Sequence, residues 1–517
     1  MTSAGADEPV LDLRLVPPAL AAWAAVATGI LWPIGYFTAA VLGIGAIWLR
    51  LSRCRWNGAV AAAVTSILIA GMGFSVAAAI RHHGVQNHPL RSRVGQIVTA
   101  QLRVTDDPRS VTGGRAMMRA DLVGLGDPVQ GMTGAVVVFG SSSLLGRVAV
   151  GDTVRVPAAV ARPGRRDLTV ATLTVAAEPT IVGHSPIHGA ANGVRDRFVD
   201  VSRNALPAGE AALLPGLVLG DTSALDAQTV AMFRTSGLTH LMAVSGANVS
   251  IVCGAVLLLG RLIGLRTSVA LAGLVLVGFV ILVRPSPSVL RAAVMGAIGL
   301  LGLLTARRRQ AIPALAATIL VLLAVSPGLA VDIGFALSVV ATAALVVLAP
   351  RWSMRLTARG WPKPLADALC VAVAAQLVTA PVIAAISGSV SMASIAANVL
   401  AGLVIVPITV LGTAAAALTV VSPQVAGLLA RFCGPELWWL LRVADYASAG
   451  GTTAVPVPVG VLGFAVVAVL LGIAVWLWRR RWFRGLVWTG ALCALALMIS
   501  ARVVSWPGYT PDRVSWR

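Results

Sequence analysis

The stretch LTHLMAVSGANVSIVCGAVLLLGRL, residues 238–262, begins with polar residues and ends as an apolar run. Its first half carries a histidine, an asparagine, a glycine and several hydroxyl groups. A helix that crosses a bilayer needs roughly 20 mostly apolar residues. Polar side chains within such a helix usually face a bundle interior or water, because exposure to lipid is costly. The stretch therefore predicts a membrane helix whose polar half lines a wet cavity, and close packing by small residues is the structural alternative.

The composition of the whole chain is that of a membrane protein. Of its 517 residues, 57% are apolar and 12% are charged, and the mean hydropathy is +0.87. The apolar start near Leu15 does not resemble a cleavable signal, because its flank is acidic and further spans follow at once. About thirteen spans are predicted by apolar length. They lie near residues 15–31, 33–50, 57–80, 238–262, 267–283, 288–305, 311–325, 331–349, 367–386, 392–420, 425–449, 457–478 and 485–503.

The distribution of arginine predicts the orientation of these spans. Basic clusters fall in every second turn, and cytoplasmic turns are the ones that carry such clusters. The expected location is the cytoplasmic membrane, with the N-terminus inside and the C-terminus outside. The formal net charge of +20, nearly all of it from arginine, has two readings. It either anchors the protein at anionic lipids or provides a path for a polyanion.

Residues 81–190 have a different pattern, in which apolar and polar residues alternate. Val98, Ala100, Leu102 and Val104 fall on one face, and similar short runs follow between Gly, Pro and Asp turns. This pattern predicts a small all-β domain of about five strands, outside the cytoplasm. Phe139 is its single aromatic residue, so a base-stacking platform is not expected. Backbone contact with a nucleic acid and a scaffold or gating role both remain open.

The remaining segments complete the predicted organisation. Residues 1–80 form a three-span region, and residues 191–236 form short amphipathic helices at the membrane surface. Residues 237–505 form the main transmembrane domain, and 506–517 are a short tail. The predicted fold class is a polytopic α-helical membrane protein with an inserted small all-β domain.

Four ordered stretches resemble the ComEC family of competence proteins. They are GLVLGDTSALDAQTVAMFRTSGLTHLMAVSGANVSIV at 216–252, PSVLRAAVMG at 287–296, VDIGFALSVVAT at 331–342 and QLVTAPVIAAISGSVSMASIAANVL at 376–400. The resemblance implies a channel that passes one DNA strand across the cytoplasmic membrane during natural transformation. It also implies that the β insert is an OB-like domain. The implied partners are single-stranded DNA, membrane lipids, a cytoplasmic helicase-like motor, an outer DNA receptor and a separate nuclease.

Two departures from the family pattern limit what can be transferred. Many relatives read SGLHV where this chain has Ser245-Gly246-Ala247-Asn248-Val249, so no histidine role applies there. Many relatives also append a metallo-β-lactamase-like domain, and this chain is expected to be a form without it.

Catalysis and cofactor binding are not expected. The P-loop pattern requires a lysine after glycine, and the single lysine, Lys363, lies between two prolines in a membrane turn. His240 and Ser245 are five residues apart and off a common helical face, with no carboxylate nearby to orient the histidine. A metal or pH site is the alternative to plain interfacial roles for the histidines that flank the β insert, which are His82, His83, His88, His184 and His188.

Polar residues in or near the spans are the candidates for a DNA path. Each has a structural alternative, which is a hydrogen bond between helices or anchoring at the interface. Pro381 and Pro407 are expected to interrupt their spans, which would expose backbone groups to a water-filled cavity. The candidates are Arg234, His240, Ser245, Asn248, Ser250, Arg284, Arg291, Asp332, Gln376 and Asn398. The competing functions are a small-solute or lipid-precursor transporter and a non-conducting envelope scaffold.

The predicted orientation can be tested with reporter fusions. A reporter fused after residue 130 should be active only outside the cytoplasm, and one fused after residue 308 only inside, because arginine clusters are retained on the cytoplasmic side. The opposite pair of activities would invert the assignment.

Overall fold

The computed structural model describes residues 12–51, 58–111, 113–126, 128–305, 310–449, 454–480 and 489. The helices are α1 (Val16–Leu31), α2 (Gly35–Leu51), α3 (Gly58–Gln86), α4 (Ser142–Leu145), α5 (Pro186–Ala205), α6 (Ala208–Leu219), α7 (Ala227–Thr235), α8 (Gly246–Leu259), α9 (Leu265–Val283), α10 (Pro287–Leu304), α11 (Ala311–Val325), α12 (Ile333–Val347), α13 (Ala349–Thr357), α14 (Lys363–Ser387), α15 (Ser394–Leu418), α16 (Pro423–Phe432), α17 (Gly434–Ser448) and α18 (Val461–Trp478). The strands are β1 (Ile97–Val104), β2 (Arg109–Val111), β3 (Arg115–Leu125), β4 (Gln130–Ser141), β5 (Asp152–Ala161), β6 (Ala171–Val175), β7 (Thr180–His184), β8 (Ser389–Ser391) and β9 (Ala454–Pro456).

The chain divides into two compact units. The first comprises residues 1–375 and 391–454, and the second comprises residues 376–390 and 455–517. The first unit contains the N-terminal helices, the β domain and the main helical core. The second unit has a small apolar core of its own, in which Ala380 and Ala384 pack with Val467.

Length and composition allow seven of the described helices to cross a membrane, and five shorter apolar helices accompany them. Large apolar side chains on these helices are exposed, as with Phe37, which is 70% exposed. Such a surface suits contact with lipid. The protein is therefore a multi-pass helical membrane protein, as the hydropathy pattern predicts.

The β domain is a small closed barrel. Strands pair in the order β1-β3-β4-β6-β5, and β5 pairs back onto β1 to close the ring. β4 and β6 run parallel, whereas the other pairs are antiparallel. The predicted alternation is confirmed along β1, because Val98, Ala100, Leu102 and Val104 all point into the barrel core. The sequence analysis missed β2 and β7, which pair at the edges of β3 and β5.

Two predicted spans differ from the observed helices, and two expected interruptions are absent. The span predicted over 238–262 begins only at Gly246, because residues 239–241 form a separate 3-10 turn. The span predicted over 425–449 is two helices, α16 and α17, that meet at Cys433. The interruptions expected at Pro381 and Pro407 are absent, since α14 and α15 each continue through their proline. The predicted span 485–503 lies outside the described residues, apart from residue 489.

The helix α6 also differs from its predicted role at the membrane surface. Its sequence, AGEAALLPGLVL, has no polar face, and residues 213–219 are all buried. It packs in the main core of the first unit with residues of α8, α9, α15 and α17. The predicted amphipathic pattern is present in α5, where Phe198 is buried while Asp200 and Arg203 are exposed.

Contact between α6 and α15 depends on a glycine. A methyl group at Gly412 would collide with Val218 and come within 3.3 Å of Leu214, whereas one at Gly402 would meet nothing within 4 Å. We expect Gly412→Ala to lower the thermal unfolding temperature in detergent, because overpacking costs about 1–3 kcal/mol. Gly402→Ala is the matched control on the same helix and should be neutral or slightly stabilising. Equal stability of the two variants would show that α6 and α15 are not closely packed.

Candidate functional site

The polar stretch at 239–250 turns sharply around the start of α8. Ser245 is the N-terminal cap residue of that helix, and its hydroxyl donates to Asn248 Oδ1 at 3.2 Å rather than accepting from the helix backbone. Asn248 is buried, and its Nδ2 donates to the carbonyl of Leu217 at 3.0 Å. The hydrogen bond therefore joins the start of α8 to the last turn of α6. Asn248 therefore makes a hydrogen bond between helices, and its place on a DNA path stays a prediction.

Arg291 lies beside the same helix start. Its side chain comes from α10, is 8% exposed, and donates from Nε to Ser338 Oγ of α12 at 2.7 Å. Its Nη2 lies so close to Gly246 that a methyl group there would be 2.7 Å away. We call Ser245, Asn248, Arg291 and Ser338 the polar seam. Its side-chain hydrogen bonds link α6 with α8 and α10 with α12, and the two pairs meet where Arg291 lies against Gly246.

The charge of Arg291 has no counter-charge. No carboxylate of the described residues lies within 4 Å of it, and its other hydrogen bond is to the sulfur of Met295 at 3.5 Å. The neighbouring start of α8 is the positive end of a helix dipole. A buried guanidinium and a helix N-terminus therefore lie side by side, with no carboxylate of the described residues paired to the guanidinium. This arrangement favours a negatively charged ligand.

A second cluster, here called the polar junction, connects the barrel to the helices through Asp107, Asn192, Arg195, Asp221 and Arg284. Arg195 is 4% exposed and donates from Nη1 to the carbonyls of Leu219 and Leu282 at 2.8 and 3.1 Å. Its Nη2 lies 3.5 Å from Asp221 and 3.8 Å from Asp107 of the β1–β2 loop. The Arg195 guanidinium thus donates to carbonyls near the C-terminal ends of two helices and also pairs with two carboxylates.

Arg284 contributes the other cation of the junction. It pairs with Asp107 through Nη1 and donates from Nη2 to Asn192 Oδ1 at 2.9 Å. Asn192 in turn donates to the carbonyl of Val150 in the β domain at 3.1 Å. Burial lowers the pKa of Arg284 to about 10, which still leaves it protonated at neutral pH. Its φ of 73° places it in the left-handed region, the one residue other than glycine to do so among those described.

The other sequence candidates are dispersed. Asp332 caps the start of α12, where its Oδ1 accepts from the backbone N–H of Phe335 at 2.8 Å. Asn398 is half-buried on α15 in the first unit, and Gln376 is half-buried in the second unit. Exposed side chains belong to Arg234, His240 and Ser250. The structure therefore brings Ser245, Asn248 and Arg291 together and places Arg284 in the junction. The remaining six candidates lie apart from these clusters, and their place on a DNA path stays a prediction.

The described cavities lie away from the seam. One of about 910 Å³ and another of about 340 Å³ are lined by none of the ten candidate residues. The polar seam is packed against neighbouring helices, so a DNA strand could pass there only if those helices separated.

The histidines give no cluster of metal ligands. No three His, Cys, Asp or Glu side chains come together as a candidate metal site in the described ranges. His184 pairs instead with Asp152 at 2.8 Å, and His188 Nδ1 lies 3.0 Å from Ser185 Oγ.

Five residues of these two clusters are not among the candidates predicted from the sequence, namely Asp107, Asn192, Arg195, Asp221 and Ser338. Arg195 lies in the segment predicted to form amphipathic surface helices, but it is buried because α6 and α9 end beside it. No sequence pattern marked Asp107 or Ser338 as functional, because Asp107 lies in the β1–β2 connection and Ser338 lies in the apolar helix α12. Charge pattern alone does not reveal partners that are 24 to 87 residues apart in sequence.

The fold and the seam define a multi-pass helical membrane protein with an inserted β-barrel and a buried cationic site. A sequence model described as competence protein matches residues 217–482, just over half of the chain, so the chain belongs to the competence protein family. The predicted family is confirmed.

The chain is similar to ComE operon protein 3 of Bacillus subtilis (strain 168), with 25% identity over 316 residues. The matched region covers 59% of this chain but only 39% of that relative. No solved structure matches the chain significantly.

The contact between α6 and α8 can be tested through Asn248. We expect Asn248→Leu to destabilise the protein, because it leaves the buried carbonyl of Leu217 without a donor at a cost of about 1–3 kcal/mol. Thermal unfolding in detergent measures the effect. Ser250→Ala is the control, since that exposed hydroxyl bonds only to its own helix backbone at Gly246. An unchanged unfolding temperature for Asn248→Leu would contradict the structural role.

Proposed function

We propose that this protein passes a single DNA strand across the cytoplasmic membrane during natural transformation. The observation that carries the proposal is the buried Arg291 guanidinium, which faces the start of α8 without a carboxylate partner. Both elements lie within residues 217–482, the region that matches the competence family. DNA presents a regular row of phosphates, and proteins hold these with arginine and helix N-termini without reading bases.

The proposed conduit is closed in this structure. The polar seam is held by hydrogen bonds in which at most one partner carries a charge. The bond from Arg291 to Ser338 is one of these. A phosphate could replace the Ser338 hydroxyl as the partner of Arg291, because a phosphate carries the opposite charge and can accept two parallel bonds from a guanidinium, whereas the neutral hydroxyl accepts one. Opening is therefore proposed to accompany entry of the strand.

The β domain is proposed to stand outside the cytoplasm at the entrance. Its closed five-strand ring with one parallel pair is consistent with an OB-like fold. Without a stacking platform it would act through position and through arginine contacts with the DNA backbone. The polar junction would set its position over the helices, since Asp107 comes from the barrel and both arginines from the helical region.

Transport requires work that these residues do not supply. We propose that a cytoplasmic helicase-like motor pulls the strand, that an outer receptor delivers DNA, and that a separate nuclease removes the second strand. The N-terminus is proposed to be cytoplasmic and the C-terminus extracytoplasmic, and the protein is proposed to be a channel rather than an enzyme.

The test uses a naturally transformable host whose own copy of the gene is deleted. Wild-type protein should restore internalisation of labelled DNA. Arg291→Gln should reduce it on the order of 10-fold or more, which is the scale of one lost charged hydrogen bond. Arg291→Lys should retain much of the activity because it retains the charge. Ser338→Ala should have a small effect, since it removes a bond but no charge.

Arg261→Gln is the matched control, because this exposed arginine lies at the opposite end of α8. Immunoblots of membrane fractions would show equal insertion of all variants. Full activity of Arg291→Gln would exclude the seam as the conduit. Normal transformation of the deletion strain would exclude DNA uptake altogether and favour a transporter or scaffold.

A further inference from the structure

A cavity of about 910 Å³ lies between the N-terminal helices and the barrel. One wall is formed by the α1–α2 turn, with Ile30, Leu31 and Tyr36, and another by the end of α3. The opposite wall is the β5–β6 loop of the barrel, which contributes three arginines. The cavity is therefore mostly apolar at the α1–α2 turn, polar at the end of α3, where His82, His83 and Gln86 line it, and cationic on the side of the barrel.

The cationic wall is not neutralised within the protein. Arg91, Arg162, Arg165 and Arg166 line the cavity with a single acid, Asp167. The Asp167 carboxylate accepts from the backbone N–H of Thr169 at 2.9 Å, and none of the four arginines has a carboxylate within 4 Å in the part of the chain described.

Two of these arginines are held in place by backbone carbonyls. Arg91 donates from Nε to Val170 at 3.1 Å, and Arg166 reaches Leu31 at 3.5 Å across the cavity edge. These contacts tie the barrel loop to the membrane helices. Arg162 and Arg165 have exposed side chains, and their guanidinium groups are available to an anion.

The apolar wall continues into a surface suited to acyl chains. Trp32, Tyr36 and Phe37 are 52%, 56% and 70% exposed on or beside α2, an apolar helix of the membrane region. Tryptophan and tyrosine are enriched where a membrane helix meets the headgroup layer. A nucleic acid or an inorganic anion would use the arginines but would gain nothing from these rings. An amphiphile would use both.

We propose that this cavity binds the headgroup of an anionic phospholipid, with its acyl chains along α2. The phosphate and its negative charge would lie against Arg162, Arg165 and Arg166, and the glycerol region would lie near Tyr36. A bound lipid would then join the barrel to the N-terminal helices from the bilayer side. The proposal is independent of DNA transport, because none of its residues belongs to the seam or the junction.

The test uses the purified full-length protein in detergent, with native mass spectrometry of bound lipid. Phosphatidylglycerol should bind, and phosphatidylcholine of the same chain length should not. The triple variant Arg162→Gln, Arg165→Gln and Arg166→Gln should weaken phosphatidylglycerol binding on the order of 100-fold, from the usual contribution of each basic residue at a membrane surface. The matched control is Arg103→Gln, Arg109→Gln and Arg119→Gln, which removes the same charge from exposed barrel positions outside the cavity.

A competition experiment on the wild-type protein provides a second measurement, which does not depend on how the variants fold. Neither inorganic phosphate nor a single-stranded oligonucleotide should displace the bound phosphatidylglycerol at equal concentration. Displacement by the oligonucleotide would show a nucleic-acid site instead, and displacement by phosphate would show a site for small anions. Equal losses in the two triple variants, or equal binding of phosphatidylcholine, would also overturn the proposal.

Discussion

The last turn of α6 is the point on which the helical core depends. Residues 213–219 of this helix are all buried, so the carbonyls of its last turn must find partners within the protein. Asn248 satisfies the carbonyl of Leu217, and Arg195 satisfies that of Leu219. Each unsatisfied buried carbonyl would cost about 1–3 kcal/mol. The same two bonds fix the start of α8 and the position of α5, and so they place both polar clusters of the first unit.

The balance between positive and negative charges distinguishes the polar junction from the polar seam. In the junction, Arg195 and Arg284 face Asp107 and Asp221, so the charges are matched and the contacts hold the barrel to the helices. In the seam, Arg291 faces a hydroxyl, a sulfur and a helix start, and the positive charge is not matched. Buried charges that lack partners are costly and are usually associated with function. The junction is therefore best understood as structural and the seam as the place where an anion would bind.

Small residues allow the helices to approach closely enough for these contacts. Gly246 lets the Arg291 guanidinium lie against the start of α8, and Gly412 lets α15 pack on α6. In a bilayer, packing of this kind replaces much of the hydrophobic driving force that folds soluble proteins. Exposed arginines remain at the cavity beside α2, which residues of the barrel and of the N-terminal helices line together.

The sequence by itself determined the class of protein, the place of the β domain along the chain and the competence family. Hydropathy and strand alternation are local properties, so the apolar helices and the inward residues of β1 could be predicted without tertiary contacts. The signature around Ser245 and Asn248 lies within residues 217–482, the region that matches the competence family. Only the tertiary structure decided that Asn248 bonds to α6, that Arg195 is buried, and that α15 continues through Pro407. These outcomes depend on which distant groups lie nearby, because a buried polar side chain takes its partner from whatever helix end packs against it.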